Sequence, residues 1–267
     1  MEVFGYIASI LIGISLGMVG SGGSILTVPV LVYLMHINPL LATTSSLFIV
    51  GTTSLAGGLR AYSKKLVDFK AVTEFGIPSI FSIFITRHYL LPALPDQLFT
   101  IGKEVISKEI FLMVVFAILM VIASVTMIRS HPHEIITAAT GQERHNKVIP
   151  LIFLGLFIGV VTGLLGAGGG FLIIPSLVLF LKLPMKIAVG TSLLIIAINS
   201  LFGFLFSLKQ FEYNWTILLS FTALAIAGIF IGSKLAEKIS SAALKKGFGW
   251  FVLIMGVYII IKELFLK

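Results

Sequence analysis

The chain has 267 residues, of which 58% are hydrophobic and 11% are charged, and its formal net charge is +8. About a quarter of the residues in a soluble domain are charged, so this composition excludes a water-soluble fold. The basic residues lie almost wholly between apolar runs, where they act as topology signals and contact anionic lipid headgroups; they do not indicate nucleic-acid binding. No cysteine is present, which excludes disulfide and thiolate chemistry.

The first apolar run, residues 4–36, is too long for a single membrane span. A helix of this length would extend about 50 Å, whereas the hydrocarbon core of a bilayer is about 30 Å thick. Clustered glycine at residues 20–24 interrupts it, because each glycine lowers helix propensity by about 1 kcal/mol. The run is therefore either one interrupted span or a hairpin of two short helices. It lacks the basic start and cleavage site of a signal peptide, so we expect it to remain in the mature protein.

Three further spans are predicted in the first half, near residues 40–59, 69–88 and 110–128. Together with the broken run they form a first transmembrane repeat over residues 1–128. Glu74 is the only acid inside a predicted span of the first half, and we interpret it as an interfacial carboxylate rather than a proton relay. Arg87 lies at the other end of the same span, where we expect its side chain to snorkel to the membrane interface.

A hydrophilic linker, residues 129–147, joins this repeat to a second transmembrane repeat, residues 148–267. His131 and His133 flank a proline in the linker and could bind a metal, but a solvated loop is the simpler interpretation, and we expect no metal site. The sequence contains no nucleotide-binding loop, zinc-protease pair or convincing hydrolase triad. We therefore predict no cofactor and no enzyme activity.

The second repeat follows the pattern of the first, with an apolar run broken by glycine at residues 166–170. Its three spans are predicted near residues 186–207, 213–233 and 247–265. An offset of 146 residues aligns 12–69 with 158–215 without a gap, and 18 of the 58 pairs are identical. Chance similarity seldom reproduces spaced glycines and prolines, so the chain contains an internal repeat. The matched pairs include Gly13/Gly159, Gly17/Gly163, Gly20/Gly166, Gly22/Gly168, Gly23/Gly169 and Pro29/Pro175.

Loop charge distinguishes the two interpretations of the broken runs. If each run crosses the membrane once, the 19 Lys and Arg residues divide 10 to 9 between the two sides. If each run is a hairpin that returns to its own side, the halves are inverted and the division is 13 to 6. The positive-inside rule favours the hairpins. We predict an all-α polytopic membrane protein of two inverted repeats, each a glycine-broken hairpin followed by three spans, with a cytoplasmic linker.

The two glycine clusters form the core of a predicted substrate site. Unwound backbone at membrane depth must be buried in protein or line a wet cavity, and paired breaks in two halves indicate a central site. The residues after each break, 25–35 and 171–181, are expected to form short helices whose N-termini attract anions. Close helix packing through small residues is the alternative. The candidate residues in these segments are Ser21, Gly22, Gly23, Ser24, Gly168, Gly169 and Gly170.

The span after each break supplies neutral hydrogen-bond donors at repeated positions. Ser46 corresponds to Ser192, and Thr53 corresponds to Asn199. Neutral donors suit an anion that has to bind and then leave, because a fixed buried Lys or Arg would hold it too strongly. Serine and threonine also bond back to their own helix, which is the alternative for each hydroxyl. We predict that these four residues contact the substrate and that no buried cation neutralises its charge.

The doubled glycine motif resembles the paired signature of the TauE/SafE sulfite exporter family. Its first copy, GMVGSGGSILTVPVL, begins at Gly17, and its second copy, GLLGAGGGFLIIPSL, begins at Gly163. The resemblance covers essentially the whole chain and implies a secondary transporter of sulfite, sulfonates or related anions, driven by an ion gradient. The glycine clusters of the two copies differ at two positions: Ser21 corresponds to Ala167, and Ser24 corresponds to Gly170. We therefore expect the two halves to contribute unequally to ligand binding.

The sequence thus predicts a multi-pass protein of a prokaryotic plasma membrane, with the lipid bilayer and a small anionic substrate as partners. It does not distinguish sulfite from an organosulfonate or from an unrelated carboxylate, and it indicates no oligomeric state. The alternative function is a membrane assembly or cofactor-insertion partner without transport activity. Such a protein would use the 129–147 linker as its docking segment.

Overall fold

The computed structural model of the chain describes residues 2–20, 23–101, 104–129, 148–236 and 241–265. The helices of the first half are α1 (Glu2–Val19), α2 (Ser24–Tyr33), α3 (Pro39–Ser63), α4 (Phe69–Ile85), α5 (Leu91–Ala93) and α6 (Lys108–Arg129). Those of the second half are α7 (Val148–Leu165), α8 (Gly170–Leu181), α9 (Met185–Ser207), α10 (Trp215–Leu235) and α11 (Ser241–Phe265). A π-helical turn, Thr86–Leu90, joins α4 to α5.

Five of the described helical segments are long and apolar enough to cross a bilayer: α3, α4 with its continuation to Ala93, α6, α9 and α10. Three shorter apolar helices, α1, α2 and α7, accompany them. The chain is therefore a helical, multi-pass membrane protein, as the sequence predicted. Two strands, β1 (Gln97–Ile101) and β2 (Glu104–Ser107), form an antiparallel ribbon before α6 that the sequence analysis did not predict.

Side-chain caps begin three of the long helices. The side chain of Asn38 accepts a hydrogen bond from the Leu40 amide at 2.9 Å at the start of α3. Asp68 accepts one from Ala71 at the start of α4. Asn214 caps α10 in the same way. Each cap satisfies one of the backbone N–H groups that a helix start leaves without an intrahelical acceptor.

The bundle buries many hydroxyl-bearing side chains and exposes large apolar side chains. Large apolar side chains on the outer faces are strongly exposed, for example Phe4 at 66% and Phe153 at 67%. Most hydroxyl-bearing residues of α3 and α9 are buried instead: Thr43, Thr44, Ser45, Ser46, Thr53, Ser54, Thr191, Ser192, Ser200 and Ser207. This distribution matches a protein whose outer face contacts lipid and whose functional polar groups face inward.

Helix contacts recur at the offset of the internal repeat. α1 packs along α10 as its counterpart α7 packs along α4, and α3 packs on its own counterpart, α9. A Cβ added to Gly13 would meet the Ala225 carbonyl, and one added to Gly159 would meet the Ser79 carbonyl. Gly159 is the counterpart of Gly13 at the repeat offset of 146 residues, and Ala225 is the counterpart of Ser79. The halves are therefore alike in their contacts as well as in sequence.

The two central helices run in opposite directions. A Cβ added to Gly51 would lie 3.0 Å from Leu201, and one added to Gly58 would approach Leu194, so the partner number falls as the residue number rises. α3 and α9 are therefore antiparallel, although they occupy equivalent places in the repeat. α1 and α3 both run parallel to α10, and α4 runs parallel to α7 and α9. The pairs that define these directions are Gly13–Ala225, Gly17–Ile229, Phe48–Trp215, Arg60–Phe230, Gly155–Phe75, Gly163–Thr86, Ser79–Asn199 and Arg87–Ser207.

The predicted linker lies almost wholly outside the described residues, as do the two histidines assigned to it, His131 and His133. Within the described ranges, the other predicted spans correspond to α3, α4, α6, α9, α10 and α11.

Candidate functional site

The second glycine break uses left-handed backbone. Gly166, Gly168 and Gly169 have φ values of 69°, 66° and 65°. An L-residue with a Cβ rarely adopts this conformation, so glycine is favoured at these three of the four residues that separate α7 from α8. Gly169 is the N-cap of α8, which begins at Gly170. The Leu172 N–H donates to the Gly169 carbonyl at 3.0 Å, whereas the N–H groups of Gly170 and Phe171, before it, precede the first intrahelical acceptor.

This helix start lies at the middle of the bundle. A Cβ built on Gly168 would lie 2.9 Å from Ser200 Oγ and 3.0 Å from both Ile196 and Val50. Val50 lies midway along α3 and Ile196 midway along α9. The break therefore places the N-terminus of α8 against the crossing of the two central helices.

The first break differs in detail. Gly20 has a φ of 83°, like its counterpart Gly166, but Gly23 is right-handed at −63° where Gly169 is left-handed. Ser24 begins α2 and is fully buried. Ser21 and Gly22, two of the predicted site residues, lie outside the described residues.

Two of the predicted hydroxyls already donate to backbone. Ser46 donates to the Gly166 carbonyl and lies 3.1 Å from the Thr43 carbonyl. Ser192 donates to the Val189 carbonyl at 2.8 Å. The Ser46 contact ties the unwound segment to α3. A hydroxyl has a single proton, so these two serines position the backbone rather than offer a donor to a ligand.

Thr53 and Asn199 are buried and hold polar atoms without partners. The Thr53 hydroxyl and the Asn199 Nδ2 have no hydrogen-bond partner among the described residues, and neither does Ser200 Oγ. Asn199 Oδ1 accepts from Ser79 at 2.8 Å. The antiparallel register of α3 and α9 puts residues 53 and 199 at one level, next to the start of α8. We call Thr53, Gly168, Asn199 and Ser200 the central cluster.

Leaving a buried polar group unbonded costs about 1–3 kcal/mol, so several such groups at one place need an explanation. The central cluster combines amide and hydroxyl donors with the N-terminal end of a helix. All of these are neutral groups that stabilise negative charge. The arrangement can bind a small anion without holding a fixed counter-charge.

Arg87 contradicts the snorkelling prediction. Its side chain is 0% exposed, and the prediction that no buried cation is present is therefore wrong. Nη1 donates to Thr44 Oγ1 at 2.8 Å and reaches Ser207 Oγ at 3.5 Å. Nε and Nη2 have no partner among the described residues. Arg87 lies in the π-helical turn, a feature that often marks functional sites.

The segment after α9 covers this arginine. Gln210 Nε2 lies 3.5 Å from the Arg87 carbonyl, and the Tyr213 hydroxyl donates to the Ser207 carbonyl at 3.1 Å. Burial raises the pKa of Tyr213 to about 12, and the Arg87 charge opposes this shift only in part. The phenol therefore stays protonated, and remains a donor, near neutral pH.

One sequence signal could have identified the arginine site. At the repeat offset, Arg87, Thr44 and Ser207 occupy positions whose counterparts are the small residues Ser233, Gly190 and Ala61, respectively. The structure brings Arg87, Thr44 and Ser207 together. Glu74, by contrast, lies 3.9 Å from Lys70 one turn earlier, in line with an interfacial carboxylate.

Comparison with known proteins gives one consistent result. A family model described as sulfite exporter TauE/SafE matches residues 6–259. A probable membrane transporter protein of Xylella fastidiosa strain Temecula1 is 30% identical over 261 residues, covering 94% of this chain and 91% of the relative. A probable membrane transporter protein of Methanocaldococcus jannaschii is 27% identical, covering 94% of each chain. YunE of Bacillus subtilis, also a probable membrane transporter protein, is 27% identical over 88% of each chain. No solved structure matches the chain.

Proposed function

The chain belongs to the sulfite exporter TauE/SafE family, and on that premise we propose that it is a secondary transporter of a small anion. We propose sulfite or an organosulfonate as the substrate, an ion gradient as the driving force and a prokaryotic plasma membrane as the location. In this proposal the protein has no enzyme activity. Its partners are the anion and the bilayer.

We further propose that the halves, residues 1–128 and 148–267, are inverted repeats joined by the 129–147 linker. The antiparallel packing of α3 and α9 supports this, because equivalent helices that cross a bilayer in opposite directions require an axis in the membrane plane. α1 and α3 are parallel although only the broken segment and α2 separate them. This supports a hairpin that returns to its own side.

The observation that carries the proposed site is the group of unpartnered donors at the start of α8. Ser200 Oγ is buried beside left-handed Gly168, and Thr53 Oγ1 and Asn199 Nδ2 are buried at the same level of the two central helices, halfway along them. We propose that these atoms and the first-turn N–H groups of α8 bind the anion. Gly23, Ser24, Gly169 and Gly170 shape the backbone around it. Ser46 ties the second break to α3 through the Gly166 carbonyl, and Ser192 bonds the Val189 carbonyl of its own helix.

Anion uptake into proteoliposomes tests this proposal. We expect wild-type protein to transport sulfite or a small sulfonate such as methanesulfonate, and Asn199→Ala and Ser200→Ala to reduce the apparent affinity. A hydrogen bond to a charged ligand contributes about 1.5–3 kcal/mol, so the loss should be roughly ten- to a hundredfold. Ser124→Ala is the matched control, because Ser124 is equally buried but bonds the Val121 carbonyl of its own helix, α6. Normal transport by both cluster variants would refute the site.

A further inference from the structure

Arg87 is a buried cation without a counter-charge in the described part of the chain. Its side chain is 0% exposed, and none of the acids that the structure describes lies within ion-pairing distance of it. Moving an ion out of water costs several kcal/mol unless a partner compensates. A guanidinium in this position therefore calls for a negatively charged partner that is not part of the described protein.

The Arg87 guanidinium forms its described hydrogen bonds through Nη1 alone, and its Nε/Nη2 edge makes none among the described residues. Nη1 donates to Thr44 and approaches Ser207, whereas Nε and Nη2 lack partners among the described residues. Nε and Nη2 lie side by side on the planar group and donate in parallel. This is the edge that arginine uses to bind a carboxylate, sulfonate or phosphate in a bidentate manner.

We propose that the Nε/Nη2 edge of Arg87 is a second binding site for the transported oxyanion, separate from the central cluster. This inference rests on the proposed function. The ligand is a compact anion with two oxygens in one plane, of the sulfite, sulfonate or carboxylate type. Thr44 and Ser207 are positioning residues that fix the guanidinium through Nη1.

The site occurs at one end of the bundle only. It lies where α3 begins, α9 ends and α4 passes into the π-helical turn. At the equivalent position of the other half, Ser233 replaces the arginine, and its hydroxyl donates to the Ile229 carbonyl of its own helix at 2.7 Å. A charged site at one end and a neutral site at the centre divide the binding between them, so neither has to hold the anion too strongly.

A structural role is the competing explanation, because a cation near a helix C-terminus is stabilised by the helix dipole. The contacts argue against it. Both hydrogen bonds described for the guanidinium go to side-chain hydroxyls rather than to the carbonyls at the end of α9. A guanidinium placed to satisfy helix-end carbonyls would direct its donors at them.

The aromatic residues beside the site provide a reporter. The Trp215 ring lies 5.8 Å from the Tyr213 ring, and the Tyr213 hydroxyl bonds the Ser207 carbonyl. The chain has two tryptophans, and the other, Trp250, is exposed on α11. A Trp250→Phe background therefore makes Trp215 the sole tryptophan. Purified protein in detergent would be titrated with methanesulfonate and with sulfite at constant ionic strength, with chloride as the reference anion.

We expect Arg87→Gln to lower methanesulfonate affinity about ten- to a hundredfold, since two charge-assisted hydrogen bonds are lost. Arg87→Lys keeps the charge but not the planar edge, and we expect it to bind about tenfold more weakly than wild type. Ser233→Ala, at the equivalent position of the other half, should bind like wild type. Thermal unfolding of each variant shows whether the protein under titration is folded.

Folded Arg87 variants that unfold at a lower temperature but bind both anions with unchanged affinity would overturn the inference and assign the arginine to stability. If neither variant folds, Thr44→Val and Ser207→Ala decide the question, because they keep the arginine and release only Nη1. Severalfold weaker binding supports the site, and unchanged binding overturns it. The proposed function fails separately, if wild-type protein neither transports nor binds any of the tested anions.

Discussion

The hydroxyl of Ser79 lies 2.8 Å from Oδ1 of Asn199 and 3.0 Å from the Gly76 carbonyl of its own helix, and the shorter contact joins α4 to α9 inside the bundle. With the Ser79 proton on the shorter contact, Oδ1 is the acceptor and Nδ2 can donate elsewhere. Nδ2 is buried and has no partner among the described residues. The contact therefore determines which face of the asparagine is available to an anion.

Substitution at this pair should affect transport in a graded way. Ser79→Ala removes one neutral hydrogen bond of about 0.5–1.5 kcal/mol, so we expect about a two- to tenfold loss of apparent affinity. Asn199→Asp places a carboxylate where the anion binds, and we expect uptake to be abolished by repulsion. Initial rates of sulfite and methanesulfonate uptake measure both effects. Equal uptake by Asn199→Asp and wild type would exclude an anion at this position.

Gly168→Ala should destabilise the protein. The left-handed φ of 66° costs an L-residue about 1–2 kcal/mol, and the new Cβ would lie 2.9 Å from Ser200 Oγ. Gly76→Ala in α4 is the control, since nothing lies within 4 Å of its Cβ position. Thermal unfolding in detergent should show a lower midpoint for Gly168→Ala alone. Adding Ser200→Ala should restore only part of the loss, because the backbone strain persists.

Cysteine labelling should place residues 63 and 209 on opposite faces of the membrane. Ser63 ends α3 and Lys209 follows α9, and the antiparallel packing of these helices puts the two positions at opposite ends of the bundle. The chain has no native cysteine to complicate the experiment. Labelling of both from the same side of intact cells would reject the inversion. A cysteine at position 140, which lies outside the described residues, should be protected from outside and so report the orientation.

Replacement of residues 133–143 by a flexible polar segment of equal length should leave anion uptake largely intact. In a carrier this part of the linker only connects the halves. In a membrane assembly or cofactor-insertion partner it would be the docking segment, so the exchange would abolish function without loss of folded protein. Uptake by proteoliposomes, together with gel filtration of the purified variant, separates these outcomes.

The spans and the breaks could be predicted from sequence because each depends on local composition. Apolar length sets the bounds of the helices, and Gly166 and Gly168 mark positions where only glycine tolerates the backbone. The predicted short helices at 25–35 and 171–181 agree closely with α2 and α8.

The burial of Arg87 could not be predicted in the same way. An arginine near the end of an apolar run normally reaches water, and what prevents it here is tertiary: the π-helical turn and the covering segment with Gln210 and Tyr213. The roles of Ser46 and Asn199 also depend on partners in other helices. The sequence indicates that such residues are polar and buried, but not which of their atoms are already bonded.

The recurrence of contacts at an offset of 146 residues has an energetic consequence. If the two halves exchanged their conformations, the helix pairings of one state would have counterparts in the other, which brings the two states closer in free energy. The gap between them would then depend mainly on the positions at which the halves differ. Arg87 with Ser233 is the most strongly charged of the differences described. An anion bound to the arginine acts on that difference directly, and it can shift the population by as much as its affinities for the two states differ.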